Sequence, residues 1–178
     1  MRNLLPLISI LAVFVFIAGC NSENNPVIEN KVTVLDPSEM ALQLSDLPEG
    51  YVKGESMTIT AEQAAKFHVN KGYQVQFMNG SAPSDRTIIT QAIFVVPIDE
   101  INKRFQNASS TTIGTQLSNP DIGESSVALR KENSGQMGEI FIISFMKKDV
   151  IETLMMSGSQ SDYEVLKTIA GTASGKIK

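Results

Sequence analysis

Hydropathy divides the chain into three stretches with different expected structures. Residues 4–18 are almost all apolar, whereas residues 20–35 are mostly polar, rich in asparagine and without periodic apolar positions. Beyond residue 35, apolar positions recur with the spacings of helices and strands. The pattern predicts a leader segment at 1–19, a polar tether at 20–35 and one folded domain at 36–178, which is long enough to bury its own core.

The folded domain opens with a predicted helix. Asp36 and Glu39 have the spacing of a capping box, and the proline between them suits the first helical position. Met40, Leu44 and Leu47 recur with helical spacing, and the proline that follows them cannot continue a helix. We therefore expect one helix across this whole stretch.

Three further helices are expected. Thr60 and Gln63 form a second capping-box pattern, which opens a short helix ending near Gly72. Residues 98–108 carry an apolar stripe of helical period, and Ser161 with Glu164 marks the start of a C-terminal helix. The side chains of this last helix that face the sheet are expected at Val165, Leu166, Ile169 and Ala173.

The remaining periodic segments have strand character. Six strands are predicted, one within 49–60 and the others at 73–77, 87–97, 126–131, 138–146 and 150–156. The segment 138–146 is apolar at both alternating positions, which favours a central strand covered on both sides. Because short turns join most of these strands, we predict an α+β domain. It would have a mainly antiparallel sheet of about five to six strands, packed by three to four helices.

The only cysteine lies directly after the apolar run. The four residues IAGC, which end at Cys20, resemble the lipobox of prokaryotic membrane lipoproteins, and the apolar run before them is shorter than a membrane span. The resemblance implies that residues 1–19 are a signal peptide and that Cys20 carries diacylglycerol. Two acyl chains such as palmitate hold a protein stably, so the expected location is the outer, extracytoplasmic face of the cell membrane. An uncleaved anchor and an ordinary secreted protein remain alternatives.

Composition excludes several classes of protein. If Cys20 carries lipid, no thiol remains for a disulfide, a zinc thiolate site, an iron–sulfur cluster or a cysteine nucleophile. The chain has 15 Lys and Arg against 19 Asp and Glu, and its basic residues are scattered. We therefore expect no nucleic-acid partner. No phosphate-binding glycine loop or metal motif is present, so no cofactor is expected.

Two motifs resemble a broad group of extracytoplasmic prokaryotic domains that are similar in outline to PsbP-like sandwiches. They are DLPEGY at 46–51 and DIGESSVALR at 121–130, the second followed by a strand, a turn and another strand. This group expects Gly-Asn where the present chain has Lys148-Asp149 in the turn. Because a two-residue turn would force Lys148 to positive φ, a longer loop is expected here. The resemblance implies a binding or accessory module.

No catalytic constellation is recognisable in the sequence. His68 is the only histidine, and no G-x-S-x-G elbow accompanies it, so we interpret it as a surface or helix-end residue. We predict a non-catalytic module that captures a small ligand or an envelope protein, with a candidate surface at Tyr51, Phe67 and Tyr73. The alternative is an envelope hydrolase using carboxylates alone. Its candidate acids are Asp46, Glu49, Asp99, Asp121 and Glu124.

Overall fold

The structure is a computed structural model. It describes residues 35–82, 84–110, 114–132 and 138–178. The predicted signal peptide, the lipobox with Cys20 and most of the predicted tether therefore lie outside the described residues.

The described chain forms seven strands and four α-helices. The strands are β1 (Val52–Thr58), β2 (Lys71–Asn79), β3 (Thr87–Val95), β4 (Thr115–Gln116), β5 (Ser125–Lys131), β6 (Ile140–Lys147) and β7 (Val150–Gly158). The helices are α1 (Pro37–Met40), α2 (Ala61–Phe67), α3 (Ile101–Ser110) and α4 (Tyr163–Lys176), with a 3-10 turn at Leu44–Asp46.

All seven strands pair antiparallel in one sheet, in the order β1-β2-β3-β7-β6-β5-β4. This confirms the predicted α+β class. The two-residue strand β4 falls in a stretch with no predicted strand. The middle strand of the seven is β7, and β3 and β6 flank it, so β6 lies near the centre as predicted. However, β6 is fully buried only at alternate positions, so it is less covered on its second face than expected, whereas β3 and β7 are the most continuously buried strands.

The sheet separates two hydrophobic cores, because alternate side chains of a strand point to opposite faces. The first face is covered by α1, by residues 41–47 (the crossing segment) and by α4. The second face is covered in part by α2 and α3. Strand residues that mark the first face are Val75, Ile89, Ile143 and Leu154. Strand residues that mark the second face are Ala92, Phe94, Val127 and Ile151.

The first predicted helix is much shorter than expected. Its capping box is confirmed, with the Asp36 side chain accepting from Ser38 and Glu39 accepting from the Asp36 backbone N–H at 3.0 Å. The helix ends at Met40, and the chain then becomes extended and crosses the first face. Leu44, expected on the buried side, is therefore exposed. Burial of the crossing segment against the sheet outweighs continuation of the helix.

The second capping box is confirmed, and the end of its helix is earlier than predicted. Thr60 and Gln63 exchange both hydrogen bonds, at 3.2 and 2.8 Å. The helix ends at Phe67, and His68 is its exposed cap in the left-handed conformation, with φ of 52°. Gly72 instead lies within β2, where an added Cβ would stand 2.8 Å from the Phe94 ring. The glycine lets the ring lie over the strand.

The turn between β6 and β7 has two residues, contrary to the expected longer loop. Lys147 pairs with Val150, and Lys148 takes a positive φ of 57° at the first turn position. The backbone N–H of Val96 donates to the Asp149 carbonyl at 2.8 Å, and the Lys148 N–H donates to Glu124 at 3.3 Å. Neighbouring loops therefore hold the strained turn in place.

The C-terminal helix starts one residue later than predicted. Its N-cap is Asp162, whose side chain accepts from the Val165 N–H at 3.0 Å. The Ser161 hydroxyl instead donates to the Glu139 carbonyl at 2.8 Å. Leu166, like Ile169 and Ala173, is buried as expected, but Val165 is exposed.

Candidate functional site

The three aromatic residues predicted to share a binding surface lie on opposite faces of the sheet. Tyr51 and Tyr73 pack against the first core, whereas Phe67 packs against the second. The alternation of β2 directs Tyr73 to the first face, and α2 carries Phe67 over the second face. Burial raises the pKa of the Tyr51 hydroxyl. The structure therefore does not bring the three together.

The candidate carboxylates lie in turns and loops. Asp46 pairs with Lys176 Nζ at 2.8 Å and accepts from the Gln43 N–H at 2.7 Å, which are structural contacts. Glu49, Asp99, Asp121 and Glu124 are exposed. Within the described ranges, no group of three or more His, Cys, Asp or Glu side chains could hold a metal ion. The hydrolase alternative stays a prediction, without a supporting observation in this part of the chain.

An unpredicted polar pair lies in the middle of the first core. Gln91 on β3 and Glu152 on β7 are both fully buried, and Gln91 Nε2 donates to Glu152 Oε1 at 2.6 Å. Gln91 Oε1 in turn accepts from the Leu42 backbone N–H at 2.9 Å. The other carboxyl oxygen, Oε2, has no hydrogen-bond partner. The pair thus ties the crossing segment to the two central strands.

Burial sets the protonation state of this pair. Desolvation raises the pKa of Glu152 to about 8, and the hydrogen bond from Gln91 offsets only part of that rise. The side chain is therefore mainly a neutral acid at neutral pH. Because the Glu152 side chain has no solvent exposure and its partner Gln91 is bound by the Leu42 backbone N–H, it is not placed to exchange protons with a substrate at the surface. We interpret the pair as a structural tie.

A second unpredicted feature lies on the second face, where two rows of side chains cross four neighbouring strands. The first row is Gln76, Thr90, Met155 and Ile142, on β2, β3, β7 and β6. The second row is Met78, Ile88, Ser157 and Ile140, on the same four strands. We call these two rows the open face. Three strand spacings make it about 14 Å wide, and its rows are about 7 Å apart.

The apolar side chains of the open face are only half-buried. Among the described residues they are packed into neither of the two core clusters, which distinguishes them from the neighbouring residues Ala92 and Phe94. Val52 stands opposite Met78 on the edge strand and is 59% exposed, so it extends the apolar surface to the sheet edge. These apolar members are Met78, Ile88, Ile140, Ile142 and Met155.

Two polar atoms beside these apolar side chains are buried without a partner. Thr90 is 5% exposed, and its hydroxyl makes no hydrogen bond. The side-chain oxygen of Gln74, one row nearer to the helices, is also buried and unpaired. In contrast, the hydroxyls of Ser144 and Thr153 satisfy each other at 3.0 Å. Buried polar atoms without partners are uncommon in folded proteins. The border of the open face therefore carries two hydrogen-bonding atoms that the described protein residues leave unsatisfied.

Sequence reasoning missed both features, although each left a signal. Glu152 is the one ionisable residue of β7, and Gln91 is the one amide of β3. A single carboxyl and a single amide in two strands that are otherwise apolar or carry only hydroxyls indicate a buried hydrogen-bonded pair. The open face had a weaker signal, because half-buried apolar positions cannot be told from core positions until the helices are placed.

Comparison with known proteins identifies the fold alone. No protein-family model matches the sequence, and no curated protein matches it. Among solved structures, the chain is similar to the extracellular domain of PknH from Mycobacterium tuberculosis. The similarity has a TM-score of 0.58 and 11% sequence identity, and it covers 83% of this chain and 98% of that one. Such low identity shows a shared architecture and leaves activity undefined.

The described part of the chain contains no helix that is both long enough and apolar enough to cross a bilayer. The predicted lipid attachment at Cys20 falls outside the described residues, and the likeness to PsbP-like sandwiches has no support from these comparisons. Both therefore stay predictions.

Proposed function

We propose that this protein is a lipid-anchored, extracytoplasmic binding module without catalytic activity, and that its open face is the binding surface. The observation that carries the proposal is the half-buried apolar surface of the second face, which among the described residues belongs to neither core. A contiguous group of apolar side chains that stay partly accessible, continued here by the exposed Val52 at the sheet edge, is the kind of surface that marks an interaction site. The carboxyl group with the most strongly raised pKa, Glu152, is sealed inside the first core, which does not favour catalysis.

The anchoring half of the proposal has two supports. The lipobox-like residues ending at Cys20 follow an apolar run of signal-peptide length. The solved structure with a similar fold is an extracellular domain, which is compatible with an extracytoplasmic role. Attached lipid would keep the domain at the membrane surface, with its binding face free for a ligand.

Mass spectrometry tests the anchor. We expect the membrane-extracted protein to start at Cys20 and to carry diacylglycerol on the thiol. The full-length Cys20→Ser variant should remain unprocessed or leave the membrane fraction. An unmodified thiol, or retention of residues 1–19 in the wild type, would contradict lipid anchoring.

Photo-crosslinking in intact membranes tests the binding face. The chain offers a matched pair of exposed valines, Val52 beside the open face and Val165 on α4 over the first face. A photoreactive side chain at position 52 is expected to crosslink an envelope component or small ligand, while the same group at position 165 is not. Equal labelling from both positions, or labelling from position 165 alone, would assign the binding surface elsewhere.

A further inference from the structure

We propose that the open face binds a neutral amphiphile. Its apolar chain would lie across the two rows, and its hydroxyl or amide group would hydrogen-bond to Thr90 Oγ1 and Gln74 Oε1. This inference rests on the proposed function, because it names the ligand class of the same surface.

The apolar part of the ligand is inferred from the size and lining of the face. Isoleucine and methionine side chains from four strands present a half-buried surface about 14 Å wide. Each methylene group buried there would contribute about 0.8 kcal/mol, so an acyl chain gains more than a compact polar ligand. The methionines, at Met78 and Met155, can adjust their shape to a flexible chain.

The polar part is inferred from the two unpaired atoms. The Gln74 side-chain oxygen can only accept, so its partner must donate a hydrogen bond. The Thr90 hydroxyl can donate or accept. A ligand hydroxyl or amide that reaches both would remove two buried unsatisfied groups, each of which costs on the order of 1–3 kcal/mol when left unpaired. Long side chains flank Thr90 on either side, Gln76 and Met155, and both can rotate away.

Neutrality is inferred from the absence of charge. None of the eight open-face side chains defined above is ionisable, and the hydrogen-bonded pair of Ser144 and Thr153 in the adjoining row is uncharged as well. Lys131 stands opposite Ile140 on β5, three strands away from Thr90. Arg86 lies two residues before Ile88. A charged headgroup placed at Thr90 would lose hydration without a counter-charge among the eight side chains around it, which is unfavourable. The ligand therefore carries donors and acceptors but no formal charge at its contact point.

Methionine-methyl NMR tests the ligand class on the full chain in phosphatidylcholine nanodiscs. The probe is 1-dodecanoylglycerol, compared with methyl dodecanoate, which lacks a donor, and with dodecanoate, which is charged. Binding is expected to shift the methyl resonances of Met78 and Met155. The methyl resonances of Met40 and Met156, buried in the first core, serve as internal controls and should not move.

Variants test the two polar contacts. Thr90→Val keeps the shape of the side chain and removes an unpaired hydroxyl, so it is expected to fold normally. Its affinity for dodecanoylglycerol should fall roughly tenfold, with little change for the methyl ester. Gln74→Leu should have the same effect, and Thr172→Val, on the exposed side of α4, should have none.

Three results would overturn the inference. Equal affinity for dodecanoylglycerol and its methyl ester would show that the polar atoms take no part, although the open face would survive as a binding surface. Preference for dodecanoate would exclude a neutral ligand. Unmoved Met78 and Met155 resonances with every probe would exclude amphiphile binding, while crosslinks from position 52 would still decide the proposed function separately.

Discussion

At the scale of single residues, the buried carboxyl of Glu152 carries the clearest physical consequence. Its pKa is raised to about 8 by burial, against an ordinary value of 4.5. The folded chain therefore holds this proton more tightly than the unfolded chain does. As the pH rises from about 4.5 to about 8, the unfolded chain has released the proton and the folded chain has not. The free energy of unfolding should then fall across that range.

Replacing this carboxyl with an amide is expected to remove the effect. In Glu152→Gln, the side-chain oxygen can still accept from Gln91, but no ionisation opposes folding. Denaturation at about pH 5, 7 and 9 should show the variant gaining stability over the wild type as the pH rises, by several kcal/mol at most. Glu55→Gln, at an exposed position on β1, is the control and should leave the pH dependence unchanged. Identical pH profiles for wild type and Glu152→Gln would refute the assignment.

The buried pair of Gln91 and Glu152 also shows how far single residues could be interpreted from the sequence. The sequence shows Gln91 and Glu152 as one amide and one carboxyl in two mainly apolar strands. No local pattern indicates that they contact each other, because they are 61 positions apart. Their contact depends on β7 pairing with β3, which is a long-range choice. A similar limit explains the aromatic residues, because Tyr73 and Phe67 lie close in sequence but the sheet separates them.

At the scale of elements, the start of α4 is set by one carboxylate. Asp162 accepts from the Val165 N–H at 3.0 Å and so satisfies one of the free amides of the first turn. Asp162→Ala is expected to lower the free energy of unfolding by about 1 kcal/mol, while Asp162→Asn should retain most of the stability, because asparagine is an equally good cap. Thermal or urea denaturation would measure both. A larger loss in Asp162→Asn than in Asp162→Ala would contradict the capping role.

The β6–β7 turn is the second element with a direct test. Lys148 has φ of 57°, a conformation that costs a residue with a Cβ roughly 1–2 kcal/mol and costs glycine little. Lys148→Gly is therefore expected to match or exceed the wild-type stability, by up to about 1 kcal/mol. Lys148→Val should be destabilised by more than about 1 kcal/mol, because β-branched residues avoid this region. Urea denaturation of both variants measures the difference, and equal stability would mean that the turn relaxes to another conformation.

At the scale of the whole molecule, one ion pair joins the two ends of the described chain. Lys176 at the end of α4 contacts Asp46 in the crossing segment at 2.8 Å, and both segments cover the first core. Burial alone would raise the pKa of Asp46, but hydrogen bonds from Lys176 and from the Gln43 N–H bring it below its ordinary value of 3.8. A lowered carboxyl pKa adds stability above that value, and the gain is lost as the pH falls through the folded-state pKa.

Removing the Lys176 side chain is expected to weaken the attachment of the crossing segment to α4. Lys176→Ala should lower the free energy of unfolding by about 1 kcal/mol at neutral pH, and Lys176→Arg should retain most of it. The difference between Lys176→Ala and the wild type should shrink as the pH falls through the lowered folded-state pKa of Asp46, because the carboxyl is then protonated in both. Urea titrations at neutral and acidic pH would measure it. A difference that is constant with pH would assign the loss to packing of the lysine stem instead of to the pair.

Local chemistry determined much of this protein from its sequence. The capping boxes at Asp36 and Thr60, and the alternation of β2, depend on contacts within a few residues, which the sequence displays directly. The α+β class followed from the order of such elements. By contrast, helix α1 stops early because the crossing segment is buried against the sheet, where the Leu42 N–H donates to Gln91, far away along the chain. Local preference cannot anticipate that partner.

Only the tertiary structure decided where surfaces are buried and where they stay accessible. Strand alternation puts Glu152 and Met155 on opposite faces of β7, because they are three residues apart. The packing of the crossing segment and α4 on the first face then buries Glu152, whereas Met155 stays half-buried on the open face. The apolar composition of the open face can be taken directly from the sequence. Its half-buried state cannot, because the burial of these side chains depends on where α2 and α3 pack on the second face. The positions of the helices depend on many contacts within both cores, and those contacts join residues that are far apart in the sequence. The tertiary structure is therefore needed to place them.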